Sequence, residues 1–373
     1  MKLVADKKYA LDEIENSLID IHKYPVSQVE RIMPVLEEVD RLRTRKNAII
    51  LAHYYQEPPI QLIADVRGDS LKLAYAAKDI KDKNLVVSST VLFMAEMVKL
   101  LSPERKVVIP SMDAGCSIAE GINGETVRRI RENFPKSAIV SYINVYADTK
   151  AEVDSVCTSA NAMEIIKNIK GNPVILLPDY FFAKNIFYEL LKDKKDGRDY
   201  IAYKGIEYGN IVLEDVVRNQ PMFVSGKGIT LPKLPKGTCI VHEQFTPEEI
   251  AYFRRSQGID IVMAHPEVNP GVARVSDFIG GTEAMIKYAK ANPGKKYLVI
   301  SECDLTAPLK EACPETEFNT PCKFCPYMKR NSLELFLTSI REEIHEVNID
   351  NRIADKARRS LDRMFELTGG LKR

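Results

Sequence analysis

The stretch AIILAHYYQ at residues 48–56 decides the fold, because it joins a short apolar run to a polar end. Such a run is long enough for a buried parallel strand and too short for a helix. Similar runs alternate with segments that have the apolar spacing of amphipathic helices. The further runs lie at residues 85–88, 106–110, 138–144, 173–179, 238–242, 259–265 and 296–302. This alternation predicts an α/β fold with parallel strands covered by helices on both faces.

The composition limits the classes of function. The chain has 373 residues, of which 45% are apolar and 28% are charged, as in globular proteins. The formal net charge of +1 predicts no basic surface for nucleic acid or anionic lipid. The first residues, MKLVADKK, lack the apolar core of a secretory signal, and no apolar run approaches the ~20 residues of a membrane helix. We therefore expect a cytoplasmic protein with no nucleic-acid or membrane partner.

The strand–helix rhythm is interrupted at residues 194–236, which are rich in lysine, glycine and proline. Only short β-like runs occur there, at residues 211–213 and 222–224, so the segment is interpreted as an insertion and not as a domain. The predicted division is a helical extension with a first α/β domain at 1–104, a second α/β domain at 105–190, the insertion at 191–236, and a third α/β domain with a cysteine loop and closing helices at 237–373.

Polar or reactive side chains follow the predicted strands at six points. In open α/β sheets, ligands bind beyond the carboxyl ends of the strands. The six ends are His53 to Gln56, Ser111 to Ser117, Tyr142 with Asn144, Cys157 to Ser159, Cys239 with His242, and His265 with Glu267. Ordinary polar loop starts would explain one such end. Six of them predict sheets whose carboxyl edges face a shared centre.

Three of these ends carry groups suited to proton transfer. In the tripeptide HPE at residues 265–267, a rigid proline separates an imidazole from a carboxylate. Tyr55 and Tyr142 could donate hydroxyl protons at the same edge, although buried core positions are the alternative for both. The chain contains neither G-x-G-x-x-G nor a P-loop motif, so it signals no dinucleotide or nucleotide triphosphate site.

The motif CKFCP at residues 322–326 presents two cysteines in a loop, followed at once by proline. Thiolates bind soft metals, and proline directly after a cysteine is common in iron–sulfur loops. A redox pair, half of a zinc site and an iron–sulfur ligand all fit this spacing. The chain has seven cysteines, and an odd number argues against a framework of disulfides.

Two groupings of the cysteines are open. One cysteine from each of three regions, Cys116, Cys239 and Cys325, could meet at a central site. Three thiolates on a four-iron cluster leave one iron open as a Lewis acid for a substrate. The competing grouping is a structural zinc site, of which only the C-x-x-C half has typical spacing. Its members would be Cys303, Cys313, Cys322 and Cys325.

The order of the motifs along the chain resembles the quinolinate synthase family, from about residue 47 to residue 335. The matching motifs are AHYYQ at 52–56, IAD at 63–65, GDSL at 68–71, FMAE at 93–96, AGCS at 114–117, CTSANA at 157–162, LPD at 177–179, CIVHE at 239–243, HPE at 265–267 and CPYMK at 325–329. So many motifs in one order are specific for homology.

The resemblance implies a fold, an activity and a cofactor. The fold is three Rossmann-like three-layer α/β/α domains around a pseudo-threefold axis, with the active site at the centre. The activity is that of a transferase that condenses iminoaspartate with dihydroxyacetone phosphate, giving quinolinate for NAD biosynthesis. The cofactor is a [4Fe-4S] cluster held by Cys116, Cys239 and Cys325. An enzyme that oxidises aspartate is the implied protein partner.

The resemblance also implies roles for individual residues. Tyr55 and Glu267 match the acid–base pair, and His242 lies beside them as a catalytic residue. The implied substrate-binding residues are His53, Ser70, Tyr142, Asn144, Ser159, His265 and Thr282. These roles agree with the chemistry, because forming an aromatic ring by loss of water needs a Lewis acid and a positioned proton carrier.

Several neighbours of the matched motifs differ from the family pattern. Gly281 stands where serine is usual, Val268 where cysteine is usual, and Thr90 where glycine is usual, while Val145-Tyr146 replaces Thr-Ser. The insertion is not typical either. These differences keep open a paralogue that uses the same cluster on a different small carboxylate substrate. A third hypothesis, from a different class, is a non-catalytic zinc or redox-sensing protein built on this fold.

Overall fold

The computed structural model describes residues 9–193 and 196–369. The chain divides into two compact units. The first comprises Met1–Gly115, Tyr252–Met263 and Gly281–Asn348, and the second comprises Cys116–Ala251, Ala264–Gly280 and Ile349–Arg373. Within the described ranges, no helix combines the length and the apolar character that crossing a membrane requires.

The first unit contains a parallel sheet with the strand order β2-β1-β3-β4. Ala48 of β1 lies opposite Leu85 of β3, and every residue of β1 is buried, as its apolar run predicts. The predicted helical extension is observed as α1 and α2. The elements are α1 Leu11–Asp20, α2 Val26–Arg45, β1 Ala48–His53, α3 Pro58–Ile63, β2 Val66–Gly68, α4 Ser70–Asp79, β3 Leu85–Ser89, α5 Leu92–Leu101 and β4 Lys106–Val108.

The second unit contains a six-stranded sheet with the order β10-β9-β8-β7-β5-β6. Strands β5 to β8 pair in parallel, whereas β8, β9 and β10 pair antiparallel. The elements are α6 Gly124–Asn133, β5 Ala138–Tyr142, α7 Ala147–Lys150, β6 Ser155–Cys157, α8 Ala162–Asn168, β7 Val174–Leu177, α9 Tyr180–Asp193, β8 Tyr200–Glu207, β9 Asn210–Asp215 and β10 Gln220–Ser225.

The insertion is more ordered than its sequence indicates. The runs at 211–213 and 222–224 lie in β9 and β10, but β8 was not expected from the sequence. A bulge between Tyr203 and Gly205 interrupts its alternating pattern, and Gly205 has a φ of +138°. Pairing with β7 nevertheless makes this segment a strand, because sheet contacts override local composition.

The strand predicted at residues 238–242 is wrong. These residues form a loop that leads into a 3₁₀ helix at His242–Gln244. The N–H of Glu243 donates to the carbonyl of Cys239 at 3.0 Å, and the N–H of Ile240 donates to the hydroxyl of Ser117. The backbone groups are therefore used in a turn and in a side-chain bond. An apolar β-branched run forms a strand only where a neighbouring strand takes up those groups.

The remaining elements follow residue 246. In the first unit, β11, β13 and β14 are neighbours in that order, and β13 pairs with β14 in parallel. In the second unit, α15 packs on α7 and β6. The elements are α10 Pro247–Gln257, β11 Ile261–Ala264, α11 Pro270–Val275, β12 Phe278–Ile279, α12 Thr282–Ala291, β13 Lys296–Ile300, α13 Thr306–Ala312, β14 Glu317–Asn319, α14 Leu333–Glu342 and α15 Asn351–Leu367. The chain is thus an α/β protein with several parallel sheets, as predicted.

Candidate active site

The carboxylate of Glu267 is the centre of a polar cluster in the second unit. The hydroxyl of Tyr142, at the end of β5, donates to its Oε1 at 2.6 Å, and Nδ1 of His242 lies 2.7 Å from its Oε2. All three side chains are buried. The ring of Tyr142 is stacked on Phe182, with 4.2 Å between the ring centroids. A buried carboxylate held by two donors is a fixed group that can accept a proton.

His265 stacks on His242, with 4.6 Å between the ring centroids. The N–H of Glu267 donates to Nδ1 of His265 at 3.4 Å, so this nitrogen is an acceptor and the ring proton is on Nε2. Burial lowers the pKa of His265 to about 4. His265 is therefore a neutral imidazole at pH 7 that can donate a hydrogen bond from Nε2.

Two buried carboxyl groups of this unit have opposite pKa shifts. Burial opposes the charge on Glu267, but His265, His242 and the hydrogen bonds from His242 and Tyr142 hold its pKa well below the ordinary value. For Asp179, burial and the nearby charge of Glu267 raise the pKa well above the ordinary value. Glu267 is thus ionised at neutral pH, whereas Asp179 keeps a proton more readily than an ordinary aspartate, and opposite shifts of this kind are typical of sites that transfer protons.

The side chain of Asn185 fixes the loop of Glu267 by bonding to the residues before and after it. Nδ2 of Asn185 donates to the carbonyls of Pro266 and Val268 at 2.9 and 2.7 Å. Ser159, Asn185 and Pro266 also line a cavity of about 580 Å³. The predicted substrate residue Ser159 therefore lies in a space bounded by the same loop. Asn185 was not expected from the sequence, where it is one polar residue of an amphipathic helix.

Cys239 lies beside His242, with 3.1 Å between Sγ and Nδ1. Cys239, His242 and Glu267 offer ligand atoms that all lie within 4.8 Å of one another, so they could hold a metal ion. His242 thus lies between a thiol and a carboxylate.

The loop of Cys116 is bonded to the loop of Cys239. The hydroxyl of Ser117 donates to the carbonyl of Thr238 at 2.8 Å and accepts from the N–H of Ile240 at 3.2 Å. Because Thr238 and Ile240 flank Cys239, one side chain holds the two cysteine loops side by side. Both cysteines are half-buried, as expected for ligands that face a site. Cys157 differs, since it is fully buried and burial raises its pKa.

In the first unit, predicted site residues collect at the carboxyl end of β1. The rings of His53 and Tyr55 lie 4.5 Å apart, and the hydroxyl of Tyr55 lies 2.9 Å from that of Ser301, which follows β13. Ser70 begins α4, two residues after Gly68, which is opposite His53 in the sheet. His53, Tyr55 and Ser70 therefore lie at one edge of this sheet, where the strand-end pattern predicts His53 and Tyr55 and the family resemblance implies Ser70.

Thr282 begins helix α12, and Gly281 at the N-cap has no side chain that could cap the helix. Oγ1 of Thr282 is buried and has no hydrogen-bond partner among the described residues. The N–H groups of a first helical turn lack partners within the helix and attract anions. In the second unit, Oδ1 of Asn144 is likewise buried without a partner within the described part of the chain. Both atoms are suited to bind a polar substrate.

The loop of Cys325 is held by Glu302. The N–H of Cys325 donates to Oε1 of Glu302 at 3.2 Å, and Nζ of Lys329 lies 3.2 Å from the same oxygen. Nζ of Lys329 also donates to the carbonyl of Tyr55 at 2.7 Å, which joins the loop to the end of β1. Burial raises the pKa of Glu302 to about 7 and that of Cys325 to about 11. Ser301 and Glu302 follow β13 as the other polar ends follow their strands, so the same pattern could have identified them.

Cys303 and Cys322 form a disulfide. This pairing contradicts the predicted zinc site, because disulfide sulfurs are not thiolate ligands. It also shows that an odd number of cysteines does not exclude a disulfide. Of the C-x-x-C pair, only Cys325 keeps a thiol.

Comparison with known proteins identifies the family. The family model described as quinolinate synthetase A protein matches residues 37–366. The quinolinate synthase of Sinorhizobium fredii is 36% identical over 336 residues, which cover 90% of this chain and 82% of that protein. Quinolinate synthase 1 of Mesorhizobium japonicum is 36% identical over 91% of this chain and 95% of its own length. The quinolinate synthase of Xylella fastidiosa is 35% identical over 89% of this chain and 87% of its own length. The chain belongs to the quinolinate synthetase A family of enzymes.

Proposed function

We propose that this protein condenses iminoaspartate with dihydroxyacetone phosphate to quinolinate, with release of water and phosphate, for NAD biosynthesis. Family membership and the names of the relatives support this reaction. The observation that carries the proposal is the bond from Ser117 to Thr238, which places two predicted ligand loops together beside the pair of His242 and Glu267. Because the family consists of enzymes, the non-catalytic alternative is not supported.

A [4Fe-4S] cluster held by Cys116, Cys239 and Cys325 is part of the proposal. The donor set fits such a group, since all three residues are half-buried cysteines in loops and thiolates are the usual ligands of iron–sulfur clusters. When bound, the cluster supplies a Lewis-acidic iron for a substrate oxygen.

The remaining chemistry is assigned to side chains. Ring formation removes protons from the substrates and delivers protons to departing oxygens. We assign the transfer of these protons to Glu267, which is ionised and held in place by Tyr142 and His242, and to the hydroxyl of Tyr55, which lies beside Ser301. Nδ1 of His242 lies 2.7 Å from Oε2 of Glu267 and is suited to donate a hydrogen bond to this carboxylate.

Substrate binding is assigned to polar groups in both units. Both substrates are anions, and the first turn of α12 with the hydroxyl of Thr282 is suited to a carboxylate or a phosphate. His265 is suited to donate a hydrogen bond to a substrate, and because its imidazole is neutral it adds no positive charge to the site. The complete proposed set is His53, Ser70, Tyr142, Asn144, Ser159, His265 and Thr282.

We also propose that the chain forms three Rossmann-like domains around a pseudo-threefold axis, divided at residues 104, 190 and 236. We propose a cytoplasmic location for the protein. An aspartate-oxidising enzyme is the proposed partner, because an imine hydrolyses in water and must be supplied close to its use.

A paralogue that acts on a different small carboxylate is the second candidate. The observation that favours it is Gly281, which leaves the N-cap of α12 without the hydroxyl that is usual in the family. Buried Val268 and Thr90 also change the surroundings of the site.

The test is an anaerobic purification followed by an assay with both substrates. We expect a brown protein with about four irons and four sulfides per chain, and quinolinate as the product. An intact cluster without quinolinate would favour the paralogue. Cys325→Ala should abolish the cluster, whereas Cys303→Ala should retain it. A colourless protein with one zinc would refute the cluster.

A further inference from the structure

The β-extension, defined as strands β8 to β10, leads directly to a predicted cluster ligand. After β10, the chain returns along residues 226–238, which we name the return segment, and Cys239 is the next residue. If this long insertion were mobile, the position of Cys239, which directly follows it, would be poorly defined. Instead, the β-extension and the return segment are held in place by contacts with the loop of Cys116. All of these contacts lie within the second unit.

The return segment is bonded to the residues that follow Cys116. The N–H of Leu234 donates to the carbonyl of Glu120 at 3.1 Å, and Nδ2 of Asn123 donates to the carbonyl of Thr230 at 2.9 Å. The N–H of Thr230 in turn donates to a carboxylate oxygen of Glu125 at 2.9 Å. The return segment is therefore hydrogen-bonded at several points to residues 120–125, which follow Cys116.

Glycines allow this close crossing. A Cβ on Gly121 would lie 2.7 Å from the Cα of Gly237, and a Cβ on Gly205 of β8 would lie 2.3 Å from the carbonyl oxygen of Pro235. Both distances are too short for any side chain. The N–H of Ile206 also donates to the carbonyl of Pro235 at 2.9 Å. The backbone of the return segment is thus packed between β8 and the Cys116 loop.

Tyr203 of β8 fixes the Cys116 loop directly. Its ring is fully buried, and its hydroxyl donates to the carbonyl of Gly121 at 2.8 Å. The carbonyl of Cys116 accepts from the N–H of Glu120 at 2.9 Å, so Gly121 belongs to the same turn as the ligand. A buried hydrogen bond from a rigid sheet to a turn restricts how far that turn can open.

We propose that β8 and the return segment form a brace that holds the loop of Cys116 against the loop of Cys239, with Tyr203 as a positioning residue. The brace explains why an insertion can precede a ligand without disordering it. The proposal rests on the proposed function only for the identity of the group, an iron–sulfur cluster, that would bind to Cys116 and Cys239. The restriction of the Cys116 loop is a property of the chain and can be measured without the cluster.

The test compares Tyr203→Phe with Tyr200→Phe in the full-length chain after removal of iron. Tyr200 is a matched control, because it lies in the same strand and its hydroxyl bonds to Asp196 instead of the loop. Alkylation by N-ethylmaleimide is followed at Cys116 and Cys157 by peptide mass spectrometry. In Tyr203→Phe, we expect Cys116 to react about fivefold faster, the factor that corresponds to about 1 kcal/mol of lost hydrogen bonding. Cys157 should be unchanged, and reconstitution should incorporate less iron than in Tyr200→Phe.

Two outcomes would overturn the brace. One is equal alkylation of Cys116 in both variants. The other is a parallel increase at Cys157, which would show general destabilisation. Failure of the proposed function is distinguishable, because the wild-type chain would then take up no cluster while the alkylation rates would still report on the Cys116 loop.

Discussion

The hydroxyl of Ser117 donates to the carbonyl oxygen of Thr238 at 2.8 Å, and this bond joins the loops of Cys116 and Cys239. Two cysteines that are distant in sequence are thereby held in neighbouring loops. Loops that are already held side by side need less ordering when a group binds to both cysteines.

Ser117→Ala should therefore reduce iron incorporation. The variant loses a donor to Thr238 and an acceptor for Ile240, which leaves buried backbone groups unpaired and costs about 1–3 kcal/mol. We expect at least a severalfold lower iron and sulfide content after limited anaerobic reconstitution. Ser155→Ala is the control, since that buried hydroxyl bonds only to the carbonyl of its neighbour Val156 among the hydrogen bonds described here. Equal iron contents in the two variants would contradict the role of Ser117.

Glu267→Gln should retain the cluster and lose activity. The amide keeps the shape of the carboxylate but cannot accept the proton that ionised Glu267 can take up. General base catalysis contributes about 10²- to 10⁴-fold, and kcat in steady-state assays should fall by that factor. Exposed Glu132→Gln is the control, since Glu132 forms only a surface pair with Arg129 among its described ion pairs. If Glu267→Gln kept the wild-type kcat, Glu267 would not be the base.

Stability should depend on pH through Glu311 in the first unit. Arg67 and His22 contact this carboxylate at 2.6 and 3.3 Å. Burial alone would raise the pKa of Glu311, but hydrogen bonds from His22 and Arg67 lower it from 4.5 to about 2. Since the folded pKa is the lower one, the stabilisation is present above pH 4.5 and is lost as the pH falls towards 2. The shift corresponds to about 3 kcal/mol.

Urea unfolding of the iron-free chain measures this effect. The free energy of unfolding of Glu311→Gln should lie below that of the wild type at pH 7, and the difference should shrink between pH 4.5 and pH 3. Exposed Glu317→Gln, which removes a surface pair with Lys296, should leave the free energy of unfolding nearly unchanged, because solvent screens that pair. A difference that grows in acid would show that the sign is wrong.

Gly281 and Thr282 give a test of the substrate. Gly281→Ser adds a hydroxyl at the N-cap of α12, and we expect the KM for dihydroxyacetone phosphate to fall about two- to tenfold, as for one added hydrogen bond to an anion. Thr282→Val removes a hydroxyl and should raise the same KM. If neither variant changes the KM for either proposed substrate, this helix terminus does not bind them.

Much of the fold follows from local pattern. The apolar runs at the start of residues 48–56 and at residues 85–88 predict β1 and β3, because buried parallel strands need continuous apolar runs. The errors occur where distant partners decide. Residues 238–242 have the composition of a strand, but Ser117 takes up one of their N–H groups. Strand β8 lacks a regular pattern, but β7 pairs with it.

The candidate site shows the same division. The strand-end pattern identified Tyr142 and Glu267, whereas His242 was selected at the end of an apolar run that is not a strand; the structure brings both Tyr142 and His242 into contact with Glu267. The pattern missed Asn185 and Lys329, because their contacts are made with backbone carbonyls far away in the sequence. The pairing of Cys303 with Cys322 was equally inaccessible, since spacing alone does not determine which cysteines meet.

An iron-edge anomalous difference map from crystals grown without oxygen would locate the proposed cluster. We expect a single group of iron peaks bounded by the sulfurs of Cys116, Cys239 and Cys325, with one iron that no cysteine contacts. Iron bound elsewhere in the chain, or a map without iron from protein that was never exposed to air, would contradict the proposal.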